Sequence, residues 1–84
     1  MRKIKRRIKI GEKNFDIWLG LSKKSVGKMN LIKLHYYPGD ANDRNMKPVV
    51  IKSGFKSEQE AIEYGKKFMH ELYYNAIKRQ EPKA

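Results

Sequence analysis

Gly54-Phe55-Lys56-Ser57-Glu58-Gln59-Glu60-Ala61-Ile62 is where the hydrophobic period of this chain changes. Before Gly54 the apolar side chains recur every second residue, as in strands. After Ser57 they recur at the 3.6-residue spacing of a helix. Ser57 and Glu60 fit a capping box, in which hydroxyl and carboxylate can each satisfy the other's free backbone amide. Glu58, Glu60 and Glu63 suit the positive end of the helix dipole, and Lys78 and Arg79 suit the other end. Ala61, Gly65, Phe68, Met69, Leu72 and Ala76, flanked by Ile62 and Tyr73, predict one apolar stripe. Gly65 in mid-stripe costs up to ~1 kcal/mol against Ala, which points to a close approach of helix to sheet. Glu81-Pro82-Lys83-Ala84 reads as a short tail from about residue 80.

Working back from the junction, Val49-Val50-Ile51-Lys52 is a short strand. Pro38 to Asn45 is dense in turn formers and predicts an exposed, mobile loop. Between about Asn30 and Tyr37, Ile32, Leu34 and Tyr36 share one side of a strand, with Leu31, Lys33, His35 and Tyr37 on the other. Ser22 to Lys28 reads as a basic loop. Phe15, Ile17, Leu19 and Leu21 form a core face at odd positions, and Asp16, Trp18 and Gly20 lie opposite. A turn over Gly11–Asn14 precedes that strand. From Lys3 to Lys9, Ile4, Ile8 and Ile10 alternate with Lys3, Lys5, Arg7 and Lys9, with Arg6 the one exception on the apolar side. The expected fold is α+β, in the order β-β-β-β-α: an antiparallel sheet of three to four strands, packed on one C-terminal helix, as a single small domain over residues 1–84.

A sheet covered on one side leaves its second face open. The charge makes that face informative. Of 84 residues, 20 are Lys or Arg and 9 are Asp or Glu, a net charge of +11. Residues 1–30 carry ten basic and two acidic groups, residues 31–56 five and two, and residues 57–84 five and five. The excess belongs to the strands. With the apolar parity turned inward, the open face collects Lys3, Lys5, Arg7, Lys9, Trp18, Lys33, His35, Tyr37 and Lys52. Lys13, Lys23, Lys24, Lys28 and Arg44 add to it from loops.

Cations on such a surface bind phosphates, and flat rings stack on bases or pack on sugars. The alternating lysines also fit protection of an edge strand against sheet-to-sheet pairing, which leaves the basic 22–28 segment unexplained. The leading expectation is a non-catalytic nucleic-acid-binding protein, double-stranded DNA first and RNA second. The alternative is a small inhibitor or adaptor docking on an acidic or nucleoprotein partner.

Catalysis finds little support: there is no nucleophile–base pair and no phosphate-cradling glycine loop. The absence of Cys and the presence of only His35 and His70 leave no metal motif, and no cofactor is expected. No apolar run approaches the ~20 residues of a membrane helix. Nor does an apolar stretch follow the basic N-terminus to make a secretory signal. A cytoplasmic or nucleoid-associated monomer with no membrane partner is the expectation.

The stretch from Ile51 to Tyr64 resembles the last strand and helix start of the ethylene-response-factor type DNA-binding domain. It is similar also to the arm-type-site binding domains of phage and transposon tyrosine integrases. Gly54, Phe55, Ser57, Glu60 and Ala61 carry the likeness. The resemblance implies a sheet packed on one helix whose open face enters the major groove, and a phage or mobile-element setting. The arginine-rich first strand of the plant domains is absent, and an extra N-terminal strand is expected.

Overall fold

A computed structural model describes residues 1–80; the expected tail at 81–84 lies outside the described residues. The elements are β1 (Arg2–Ile10), β2 (Lys13–Val26), β3 (Met29–Tyr37), β4 (Val49–Phe55) and α1 (Glu58–Gln80). The strands form one antiparallel sheet in the order β1-β2-β3-β4, with α1 across one face. The α+β architecture read from the sequence is the one adopted.

Two hairpins set the register. Gly11-Glu12 joins the paired Ile10 and Lys13, and Gly27-Lys28 joins Val26 and Met29. Gly11 and Gly27 both have φ +63°, while no non-glycine residue has positive φ. This is the two-residue turn with glycine first, whose twist matches the flanking strands. The basic loop expected over 22–28 is therefore mostly strand. Only Gly27-Lys28 turns, and the side chains before it alternate between faces.

Ile4, Ile8, Ile17, Leu19, Leu21, Ile32 and Leu34 bury their side chains beneath Ala61 and Met69 of α1. The helix comes closest at Gly65. A Cβ there would stand 2.9 and 3.0 Å from the Leu19 methyls and 3.4 Å from Leu34 Cδ1. Phe15 and Tyr73 meet edge to face at 5.2 Å, and Tyr36 packs on Phe68 at 5.4 Å. The helix runs toward the β1–β2 turn, where Ile77 lines the space beside Ile10. Its stripe consequently leans to Tyr73 and Ile77, and the expected core residues Leu72 and Ala76 are exposed. At the start of α1 the Glu60 amide donates to Ser57 Oγ at 3.2 Å. The reciprocal bond from the Ser57 amide is not seen among the described residues. Arg2 instead donates to both oxygens of Glu58, at 3.0 and 2.8 Å.

β4 is irregular. Ile51 is an extra residue between the Leu34–Lys52 and His35–Val50 pairs, and Gly54, at φ +99°, is a second between Ile32–Phe55 and Lys33–Ser53. The first bulge overturns the expected placement of Lys52 on the open face. Opposite Leu34 it turns to the helix side, with Nζ 5.0 Å from the Tyr64 ring centre and 5.8 Å from that of Phe55.

Gly65→Leu should test the helix seat. Leucine favours the helix by about 1 kcal/mol over glycine, but here it must displace fully buried methyls, and overpacking costs about 1–3 kcal/mol or more. The expected result is a lower melting midpoint by circular dichroism, by roughly 5–10 °C. An unchanged or raised midpoint would mean that the helix does not sit this close.

Candidate functional site

Antiparallel pairing lines up the open-face residues in rows. Lys9 lies across from Asn14, and Arg7 from Asp16. The next row is Lys5–Trp18–Tyr37, followed by Lys3–Gly20–His35–Val50. Ser22–Lys33–Ser53 and Lys24–Leu31 complete the series toward the Gly27-Lys28 turn. Lys23 pairs with Ile32 on the opposite, helix-side parity, near Lys56 and Ser57.

The middle rows are not open. The loop expected over Pro38–Asn45 is exposed at most of its positions, but the segment 38–46 returns to the sheet at Ala41 and crosses it as a strap. Ala41 is buried, and its carbonyl accepts from Lys3 Nζ at 2.8 Å. The strap is stiffened by its own turns. The Asn42 amide donates to Asp40 Oδ1 and the Asn45 amide to Asp43 Oδ1, both at 2.9 Å. Backbone bonds of 3.1 Å run from Asp43 to Asp40 and from Met46 to Asp43. Met1 closes the same area, with Sδ 3.4 Å from the Tyr37 hydroxyl. Gly20 lies beneath it, where a Cβ would fall 2.5 Å from Met1 Sδ, near the end of a flexible side chain, and 3.3 Å from the Tyr37 ring. Tyr37 is consequently only 5% exposed and His35 only 6%. The expectation that both rings face a ligand is corrected: they form a second, smaller core under the strap.

His35 is held there without full compensation. Its Nδ1 is buried and has no hydrogen-bond partner among the described residues. Burial lowers its pKa from the usual 6.5. The charges of Lys33 and of the N-terminal amine act in the same direction, while backbone hydrogen bonding at Gly20 and Lys33 partly opposes them.

On either side of the strap the cations remain exposed. At the β1 end, Lys5 and Arg7 flank Asp16 at 3.7 and 3.3 Å. These are solvent-exposed pairs, worth well under ~1 kcal/mol each. Lys5 Nζ lies 5.8 Å from the Trp18 ring centre, so half-buried Trp18 already carries a cation across it. Lys9 is exposed beside them. At the far end β1 stops opposite Leu21, and β4 ends at Phe55 opposite Ile32. Lys24–Leu31 therefore continues as a two-stranded arm of three residue pairs and a turn, reaching about 10 Å beyond the sheet. The molecule measures 56 × 26 × 18 Å.

Lys23, Lys24, Lys28 and Lys33 sit on or at the root of this arm, and no acidic residue occurs between Asp16 and Asp40. None of the four is in an ion pair among the described residues. Val26 and Met29, both half-exposed at the tip, escaped sequence reasoning because the segment looked like a loop. No cluster of three metal-ligating side chains occurs among the described residues, and no described helix is long and apolar enough to cross a membrane.

The buried imidazole gives a pH signature. Since its pKa is lowered on folding, the unfolded chain binds the proton more readily. Stability from this group is complete above pH 6.5 and lost as pH falls through the lower folded value. Thermal midpoints measured from pH 7.5 to 5 should fall more for wild type than for His35→Gln; parallel curves would mean that His35 is not buried as a neutral ring. The chain matches no protein-family model, no curated protein and no solved structure.

Proposed function

We propose that this protein is a non-catalytic nucleic-acid-binding module that holds duplex DNA by its phosphates, at the β2–β3 arm and at the β1 end of the sheet. The acid-free run from Ile17 to Gly39 carries this reading, because it builds a basic ribbon that reaches clear of the helix. A two-stranded ribbon fits a major groove. There Lys24 and Lys28 reach phosphates, while Val26 and Met29 offer apolar contact to thymine methyls. Lys5, Arg7 and Lys9 engage a second stretch of backbone beyond the strap. The strap covers the middle rows between these two ends.

Duplex is favoured over unpaired RNA on this face because Tyr37 and His35 are covered, which leaves the half-buried Trp18 as the one ring of these three within reach of a base. The resemblance of the strand-to-helix junction to sheet-type DNA-binding domains is in keeping with this reading and would imply a phage or mobile-element setting. A protein partner is the second reading. It is favoured by Val49 and Val50, which are half-exposed on edge strand β4.

With about six phosphates engaged, log affinity for a 20-bp duplex should fall against log salt with a slope near −5. Reversing Lys24 and Lys28 to Glu should weaken binding at every sequence tested and flatten the slope by about 2. No binding at low salt, or a flat response to salt, rejects the proposal.

A further inference from the structure

Charge counting along the sequence makes the helix half neutral, yet the fold sorts its charges. Between edge strand β1 and α1 runs an open trough. Its first part, about 390 Å3, is lined by Arg7, Ile8 and Lys9 on one wall and by Lys66, Lys67 and His70 on the other, with Glu71. Its second part, about 470 Å3, continues past Ile10 to Lys13 on the strand side and past Tyr74, Ile77 and Lys78 on the helix, with Glu12. Six Lys or Arg residues thus line the trough with two carboxylates. Arg7 is shared with Asp16, and none of the five lysines is in an ion pair among the described residues.

The helix wall also carries exposed rings. His70 and Tyr74, one turn apart, lie nearly parallel, with an interplanar angle of 7° and centres 6.4 Å apart. Lys78 Nζ stands 5.8 Å from the Tyr74 ring centre. Tyr74 is 48% exposed and takes no part in the core. A cationic groove about 18 Å long, from Lys66 to Lys78, with flat rings set along it is the arrangement that holds an unpaired strand: cations track the backbone and a ring stacks on a base. A duplex leaves no base face free for those rings.

We propose that the β1–α1 trough is a second binding surface, which takes a single nucleic-acid strand with its phosphates against Lys66, Lys67 and Lys78 of the helix wall and a base on the His70–Tyr74 rings. It goes beyond the duplex proposal and stands on different residues, apart from the shared rim at Arg7 and Lys9.

The test uses the full chain with two fluorescent probes at low salt, a 12-nucleotide oligothymidine and a 20-bp duplex. His70→Ala with Tyr74→Ala should weaken oligothymidine about tenfold, the loss of one stacked base, and leave duplex affinity within twofold. Lys66→Glu should flatten the oligothymidine salt slope by about 0.7. Protein saturated with duplex should still bind oligothymidine. These positions are exposed, so far-UV circular dichroism should report an unchanged helix. The trough assignment is overturned by equal losses for both probes in the ring variant, by oligothymidine binding indifferent to both variants, or by complete competition between probes. Wild type binding duplex but not oligothymidine removes the trough alone. Binding of oligothymidine through the trough without duplex binding leaves it standing and removes the duplex reading. Binding of neither removes both.

Discussion

Leu19 and Leu34 are diagonal neighbours on β2 and β3 in the middle of the sheet, and the backbone of α1 settles on them at the one helical position without a side chain. That contact decides which face of the sheet is dry. Once Gly65 is seated, Ala61 and Met69 fall over Ile17, Leu19 and Leu34, and every residue of opposite parity must find other surroundings. The lysines of β1 and β2 face outward because Leu19 faces inward. The tilt of α1 on the same seat carries Lys66, His70 and Tyr74 to the β1 edge and leaves Leu72 without cover.

The second face solves a different problem. Gly20, His35 and Tyr37 in its middle rows offer neither charge nor a large apolar area, and the strap from 38 to 46 shelters them with few contacts of its own. Lys3 holds the Ala41 carbonyl, Met1 reaches the Tyr37 hydroxyl, and two Asp side chains tie the strap to itself. The arrangement keeps an imidazole nitrogen without a partner, a cost of about 1–3 kcal/mol. Its effect is to divide the basic surface into two exposed cationic ends with a covered middle between them.

Most of the fold was legible because period and punctuation agreed. Alternation in β1, the odd-numbered core of β2, glycines at both hairpins and the Ser57 cap all pointed the same way, and Gly65 announced the close approach. What was missed has three separate physical causes, the first being that parity reports a side but not what lies on it. His35 and Tyr37 are on the expected side and are buried because Met1 and the 38–46 segment close over that side; Gly20, a glycine inside a strand, was the local sign of the packing of Met1 and Tyr37 there. Lys52 is on the unexpected side because one inserted residue at Ile51 reverses parity, and a bulge leaves little mark in a seven-residue strand. Ser22 to Val26 looked like a loop because its polar residues hid an alternation that pairing with β3 supplies.

The two edges of the sheet are guarded by different physics. β1 is guarded by charge, with lysine and arginine at alternate positions, whereas β4 is guarded by shape, through its bulges at Ile51 and Gly54. Charge guarding fails when counterions or a polyanion neutralise the surface, and that is the condition under which many copies of a basic protein are brought to high local concentration. Shape guarding is indifferent to salt and to bound phosphate. The exposed valines of β4 therefore lie on an edge that stays mismatched to a second strand when self-repulsion between copies has been cancelled, so crowding along a polymer need not turn into strand-to-strand aggregation.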